Sequence, residues 1–206
     1  HTDAVQIIGK EKINLKSQHI DLLSMSAHKF YGPKGVGALY VKNGVNLTTT
    51  YFGGGQEKNL RPGTENVSGI HGMSVALNKS IVELPSWLET VNKYERIFID
   101  ELNKSKIKFI INGKNRIAGI INMTFIDILS SDLVMALDIA GYAISGGSAC
   151  SSGSAKPSAT LKEIGMDDDM AMRTVRISFG KNLTESNIRN LSKSISDIIN
   201  HQTTIE

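Results

Sequence analysis

Residues 20–41 read IDLLSMSAHKFYGPKGVGALYV, a lysine-bearing loop set between two short apolar runs. The first run, residues 20–26, has the composition of a short buried strand. Residues 31–35 (YGPKG) are rich in turn-forming residues and predict a loop. Residues 36–41 predict a second strand. The stretch therefore predicts two strands joined by a loop, with Lys29 just past the end of the first strand.

The rest of the chain alternates between helical and extended patterns. A helical pattern runs from about Val67 to Asn103, and Pro85 predicts a break or kink within it. Further strands are predicted at residues 107–111, 117–125 and 175–179, and further helices around Leu133, at residues 159–164 and after Thr184. Strands that alternate with helices indicate an α/β fold. We expect two parts, residues 1–84 and residues 85–206.

The composition is that of an ordinary globular protein, with 40% hydrophobic and 21% charged residues among 206. The net charge of +3 comes from scattered lysines rather than from a basic cluster, so we predict no nucleic-acid partner. No apolar run approaches the roughly 20 residues of a membrane span, so we predict no membrane partner. A single cysteine forms no internal disulfide, and we therefore expect a cytoplasmic location.

Cys150 is the only cysteine of the chain, and it lies in a run of small and polar residues, GGSACSSGS at residues 146–154. A structural cysteine usually lies among apolar side chains. A thiol in an accessible loop is instead available as a nucleophile, because the reactive thiolate needs access to its target. Two interpretations stay open from these residues alone: a nucleophile that attacks a substrate prepared elsewhere, and an inert cysteine.

Lys29 follows an apolar strand and has Ser26 and His28 as close neighbours in the sequence. A lysine placed in this way could form a Schiff base with an aldehyde cofactor, and its neighbours could donate to a phosphate. The alternative is a solvated lysine at the end of a strand. These residues alone are compatible with both.

Five segments of the chain carry such chemistry-bearing residues. They are HTDAVQ at residues 1–6, SAHKFYGPKG at 26–35, GGGQE and RPGTEN within 53–66, GSACSSGS at 147–154 and RISFG at 176–180. Together, and in this order, they resemble the pyridoxal-phosphate-dependent cysteine desulfurases of the NifS type, in the class V aminotransferase group. The resemblance implies the C-terminal half of a fold-type I enzyme. Part of a large mixed-sheet cofactor domain would be followed by a linking helix and a smaller α/β domain with the cysteine loop.

The resemblance also assigns contacts to the cofactor, pyridoxal 5'-phosphate. Lys29 would hold it through the Schiff base. Asp3 would pair with the pyridine nitrogen, so that the ring acts as an electron sink, and Gln6 would hydrogen-bond the ring hydroxyl. Ser26 and His28 would contact the phosphate.

Two further roles follow from the resemblance. Thr64 would reach the phosphate of the neighbouring subunit, which implies a homodimer. Arg176 would bind the substrate carboxylate, because a guanidinium can make two parallel hydrogen bonds to it. Taken by themselves, Asp3 could be an ordinary strand-end carboxylate, and Arg176 a surface cation paired with one of the aspartates at 167–169.

The remaining histidines lack metal-ligand spacing, so we predict no metal site.

The resemblance implies an enzyme that removes sulfur from L-cysteine to give L-alanine. Lys29 would move a proton from the substrate Cα. Cys150 would take the sulfur as a persulfide and pass it to an acceptor protein or thiol, for example in iron–sulfur cluster assembly. One alternative is a selenocysteine lyase or a related lyase of the same group. Another, of a different class, is a catalytically incomplete fragment that acts as a sulfur carrier or scaffold.

The chain opens on His1 without an initiator methionine, and members of the family are about twice as long. We therefore expect a segment of a longer protein, whose N-terminal half supplies further contacts to the phosphate and the ring. From this chain alone we expect less than full activity.

Overall fold

The computed structural model describes residues 1–146 and 157–203. The chain divides into two compact units, His1–Trp87 and Leu88–Glu206. The first unit contains a three-stranded sheet and the second a four-stranded sheet, each accompanied by helices. The predicted α/β class is confirmed.

The first unit is built on a mixed sheet in the order β1-β2-β3. Strand β1 (Thr2–Asp3) runs parallel to β2 (Leu22–Ser26), whereas β3 (Gly37–Val41) runs antiparallel to β2. A single turn of 3₁₀ helix, Ala27–Phe30, follows β2 directly. The strand–loop–strand prediction for residues 20–41 is confirmed, although each strand begins one or two residues later than expected.

A small apolar core holds the first unit together. Its buried side chains come from β2 and from the turns that follow β1 and β2: Ala4, Ile8, Leu23, Ala27 and Phe30. Helix α1 (Val67–Val82) adds partly buried side chains to this core: Met73, Ala76 and Leu77. Because the 3₁₀ turn contributes two of the buried residues, packing of the core also fixes the position of that turn.

The long helical region predicted around Pro85 is two helices. Helix α1 ends at Val82, and α2 (Leu84–Lys104) begins two residues later. Pro85 lies in the first turn of α2, where its missing N–H has no helical acceptor to lose. The predicted break is therefore confirmed, but it falls at Glu83, because proline is well tolerated at the start of a helix.

The second unit contains an antiparallel sheet in the order β4-β5-β7-β6. Its strands are β4 (Phe109–Asn112), β5 (Ile120–Phe125), β6 (Ser145–Gly146) and β7 (Thr174–Ser178). The helices that follow α2 in the described ranges are α3 (Ser130–Ile139), α4 (Ala159–Glu163), α5 (Asp168–Met172) and α6 (Glu185–Thr203). Strand β6 and helix α5 were not predicted, because each is too short to show a hydrophobic period.

The two faces of this sheet differ in polarity. Ile121 on β5 is fully buried, as is Ile177, its register partner on β7. Successive side chains of a strand point to opposite faces. Asn122 and Arg176, which follow and precede those residues, therefore share the opposite and more polar face.

Ion pairs join α2 to α6 within the second unit. Lys93 Nζ lies 2.5 Å from the Glu185 carboxylate, and the Arg189 guanidinium pairs with Glu101. The hydrogen bond from Lys93 lowers the pKa of Glu185, and the hydrogen bond from Lys104 lowers the pKa of Glu101. Both carboxylates therefore stabilise the fold above their ordinary pKa of 4.5, and this contribution is lost as the pH falls below that value.

A buried carboxylate connects α2 to the loop before β5. Glu95 is 8% exposed. One of its oxygens accepts from Arg116 at 2.6 Å, and the other accepts from the backbone N–H of Gly119 at 2.6 Å. The carbonyl of Gly119 accepts in turn from the Phe179 N–H at 2.9 Å. Glu95 thus holds the end of the β5–β7 pair in place.

We expect Glu95→Gln to lower the free energy of unfolding by about 3 kcal/mol, because removing one partner of a buried ion pair leaves an uncompensated charge. Urea unfolding measures this. The control is Glu101→Gln on the same helix, where the carboxylate pairs with the exposed side chains of Lys104 and Arg189 and should matter far less. Equal shifts in the two variants would contradict the role of Glu95.

No helix among residues 1–146 and 157–203 has both the length and the apolar character that crossing a membrane requires. The same residues contain no group of three or more histidine, cysteine, aspartate or glutamate side chains able to hold a metal ion.

Candidate functional site

Lys29 lies in the 3₁₀ turn at the carboxyl end of β2. Its neighbours Ala27 and Phe30 are buried at 0% and 3% exposure, so they anchor the turn while Lys29 stays partly exposed. The amine of Lys29 has no hydrogen bond or ion pair to any described residue. The interpretation of Lys29 as a reactive amine on a fixed backbone therefore fits its surroundings.

The backbone around this turn is closely packed. The Ala27 N–H donates to the Val36 carbonyl at 3.0 Å, and the Gly32 N–H donates to the Ala27 carbonyl at 2.9 Å. At the start of β3, a Cβ on Gly37 would lie only 2.5 Å from the Met25 carbonyl oxygen. Glycine is required there, because only a residue without a side chain lets β3 pass so close to β2. These contacts leave the lysine turn little freedom to shift.

Ser26 and His28 lie together beside Lys29. The Ser26 hydroxyl and His28 Nδ1 are 2.9 Å apart and hydrogen-bonded. Ser26 is the last residue of β2, and His28 is exposed on the turn. A hydroxyl and an imidazole at one strand end can both donate to a phosphate.

Asp3 lies on the strand next to the lysine-bearing one. It pairs in register with Ser24 of β2, and the two strands run in the same direction. One Asp3 carboxylate oxygen accepts from the Val5 N–H at 2.9 Å, which ties the side chain into the turn after β1. The carboxyl ends of parallel strands meet at one edge of a sheet, where ligands bind in such folds. Asp3 and the Ser26–Lys29 segment thus share one edge of the first unit.

The side chains of Gln6 and Thr64 form no hydrogen bond to the lysine turn among the described residues. The Gln6 backbone carbonyl accepts from Lys10 Nζ at 3.1 Å, and its side-chain oxygen lies 3.5 Å from the same amine. Thr64 is exposed in the loop before α1, next to Gly63, whose N–H donates to Gln56 at 3.1 Å. Neither side chain bonds to the lysine turn in the part of the chain that is described, so their predicted contacts remain predictions.

Arg176 belongs to the second unit, on β7 between Asn122 of β5 and Ser145 of β6. The alternative interpretation paired it with an aspartate at 167–169, and the structure pairs those aspartates differently: Asp169 with Arg173, and Asp168 with Lys162, while Asp167 caps helix α5. The interpretation of Arg176 as a partner of these aspartates is therefore wrong. Arg173, one helical turn from Asp169, forms the ion pair instead. Arg176 itself has no hydrogen bond or ion pair with a described residue.

Cys150, the predicted nucleophile, lies outside the described residues, as does the rest of the segment 147–156. Two further residues lie beside the predicted site residues and have no role predicted from the sequence. His1 Nε2 lies 2.8 Å from the Ser24 hydroxyl, next to Asp3. Asn122 lies directly opposite Arg176. The alternation of β5 could have pointed to Asn122, but its partner strand lies more than fifty positions away in the sequence.

The side chains at the strand edge suit a phosphorylated aldehyde. They are an amine for the aldehyde (Lys29), a hydroxyl and an imidazole for the phosphate (Ser26, His28), and a carboxylate on the adjacent parallel strand (Asp3). A mixed sheet that ends in a lysine with these neighbours, and with no partner for its amine in the described part of the chain, defines a class of protein that can hold such a cofactor covalently.

The chain belongs to the aminotransferase class-V family, which it matches over residues 1–191. Enzymes of this family depend on pyridoxal phosphate. The chain is 40% identical over 190 residues to the cysteine desulfurase IscS of Dictyoglomus turgidum, covering 91% of this chain and 48% of the relative. It therefore spans about half the length of the curated relatives it matches.

Solved structures give the same result for the fold. A NifS-like protein superposes with a TM-score of 0.85 at 32% identity, over 97% of this chain and 52% of that protein. SspA, solved in complex with cysteine, superposes with a TM-score of 0.67 at 35% identity, over 87% of this chain and 49% of SspA. The resemblance to the NifS-type proteins inferred from the five segments is confirmed.

Proposed function

We propose that this protein acts as a cysteine desulfurase, which converts L-cysteine to L-alanine and holds the sulfur as a persulfide for transfer. The observation that carries the proposal is the partly buried, unpaired amine of Lys29 at a strand edge shared with Asp3, among the described residues. Support comes from similar proteins that are named cysteine desulfurases, and from SspA, solved with cysteine.

Four residues of the first unit would hold pyridoxal phosphate. Lys29 would bond its aldehyde, Ser26 and His28 would donate to its phosphate, and Asp3 would pair with its ring nitrogen. When bound, the cofactor supplies an electron sink that stabilises negative charge at the substrate Cα. The amine of Lys29, as a free base beside the substrate, would move the Cα proton.

Two residues would handle the substrate. Arg176 has no partner among the described residues, so its guanidinium would be available for the α-carboxylate of cysteine. Cys150, as thiolate, would attack the substrate sulfur, so that a sulfur–sulfur bond forms as the Cβ–S bond breaks. The electron pair of that bond stays on Cβ, which takes up a proton to give alanine. The persulfide on Cys150 then passes to an acceptor protein or thiol, for which iron–sulfur cluster assembly is one proposed use.

The assembly and location are part of the same proposal. Thr64, exposed in its loop, would complete the phosphate site of a neighbouring copy, which makes a homodimer the proposed state. A cytoplasmic location is proposed because the chain has a single cysteine, which suits a reducing compartment.

Turnover of L-cysteine tests the proposed function. The purified protein is incubated with pyridoxal phosphate, L-cysteine and dithiothreitol, and both L-alanine and sulfide are measured over time. We expect the two products to appear in equal amounts, with none from L-serine. Selenide release from L-selenocysteine without sulfide from L-cysteine would indicate a selenocysteine lyase instead. Absence of both products would favour a sulfur carrier or scaffold.

A further inference from the structure

A row of polar residues crosses the sheet of the second unit. The strand registers place Asn112 of β4 opposite Asn122 of β5, Asn122 opposite Arg176 of β7, and Arg176 opposite Ser145 of β6. Residues directly opposite each other in antiparallel strands have Cβ atoms only about 5 Å apart. One row thus brings two amides, a guanidinium and a hydroxyl side by side on one face of the sheet.

This row lies on the face opposite the apolar core. The residues that alternate with it, Ile121 and Met123 on β5 and Val175 and Ile177 on β7, are at most 1% exposed. Asn112, Asn122, Arg176 and Ser145 are all partly exposed. The row therefore meets water or a ligand rather than the core.

Asn112 sets the orientation of the Asn122 amide. The Asn112 side-chain N–H₂ donates to Asn122 Oδ1 at 2.8 Å and to the Thr124 hydroxyl at 2.9 Å. The oxygen of Asn122 is therefore directed at β4, and its own N–H₂ group is left without a partner among the residues described. Thr124 bonds onward to Thr174 at 2.6 Å, so the anchor of this network is itself fixed.

We propose that Asn122 forms, with Arg176, the binding site for the α-carboxylate of the amino-acid substrate, and that Asn112 positions the Asn122 amide for this contact. This inference rests on the proposed function. A carboxylate has two oxygens and about four acceptor positions, more than one guanidinium fills. The two donor groups lie on paired positions of neighbouring strands and on the same face, and neither has another partner among the described residues.

A purely structural role for Asn122 makes a different prediction. If Asn122 served only to bond Asn112, then any side chain that kept the acceptor oxygen would be equivalent. Asn122→Asp keeps that acceptor and the size of the side chain, but it replaces the free donor by a negative oxygen beside Arg176. The variant thus separates the network from the donor.

The test uses calorimetry to measure the equilibrium binding of two ligands, L-alanine and L-alaninol, of which the second lacks the carboxylate. The protein is first supplied with pyridoxal phosphate. We expect Asn122→Asp to weaken L-alanine binding by at least about tenfold, because a charge-assisted hydrogen bond is lost and a repulsion is added. Affinity for L-alaninol should stay the same or rise. Asn112→Ala should weaken L-alanine binding by a few fold, because the amide loses its fixed orientation.

The matched control is Asn115→Asp, which makes the same change of charge at an exposed loop position of the same unit. It should leave both affinities unchanged. Thermal unfolding of each variant checks that the fold is retained. Unchanged L-alanine affinity in Asn122→Asp, or equal affinity of the unaltered protein for L-alanine and L-alaninol, would overturn the inference. Failure to produce sulfide with the carboxylate preference intact would overturn the proposed function alone.

Discussion

Replacing Lys29 by alanine is expected to lower L-alanine formation from L-cysteine by about 10³-fold or more. The amine would serve both as the covalent link to the cofactor and as the base at the substrate Cα, and loss of a positioned proton-transfer group alone lowers rates by roughly 10²–10⁴. The fold should survive, because Lys29 makes no hydrogen bond or ion pair with another described residue. Product formation by chromatography and the circular dichroism spectrum measure the two effects.

Lys42→Ala is the control for this prediction. Lys42 follows β3 in the same unit and pairs with Asp21 at 2.8 Å, and its side chain is 53% exposed. That ion pair lowers the pKa of Asp21 and raises the pKa of Lys42, but both groups lie at the surface, so activity should stay close to that of the unaltered protein. A Lys29→Ala variant that keeps more than a tenth of the activity would remove Lys29 from the catalytic role.

Replacing Cys150 by serine is expected to abolish sulfide release while the cofactor stays bound and coloured. A serine hydroxyl is not ionised at neutral pH and forms no stable persulfide, whereas a thiolate does. The measurements are sulfide release, the visible absorbance of the cofactor, and mass spectrometry of the protein after exposure to L-cysteine. In the unaltered protein we expect an added mass of one sulfur atom on the peptide that contains Cys150. Alanine production at the normal rate in the serine variant would exclude Cys150 as the sulfur-accepting group.

Local patterns were sufficient to predict the surroundings of Lys29. Two apolar runs separated by a turn-rich segment define β2 and β3, because strand and turn preferences act over a few residues. The close approach of Gly37 to Met25 was not predicted, since it depends on how β3 passes β2 and not on either strand alone. The same limit applies to the pairing of β1 with β2, which places Asp3 opposite Ser24.

The surroundings of Arg176 were harder to predict. Three aspartates lie near it in the sequence, yet Arg173 takes Asp169, because the two lie one helical turn apart across α5. The neighbours that matter, Asn122 and Ser145, come from other strands and are fixed by the register of the sheet. Register depends on contacts distant in the chain, such as that between Glu95 and Gly119, which no sequence period reveals.

The covalent attachment site of the cofactor tests the central claim most directly. The protein is mixed with pyridoxal phosphate, reduced with borohydride to make the attachment permanent, digested and mapped by mass spectrometry. Attachment at Lys29 through its amine predicts one modified peptide, containing residues 26–34, and its absence in the Lys29→Ala variant. Modification of another lysine in preference to Lys29, or no modified peptide at all, would contradict the account.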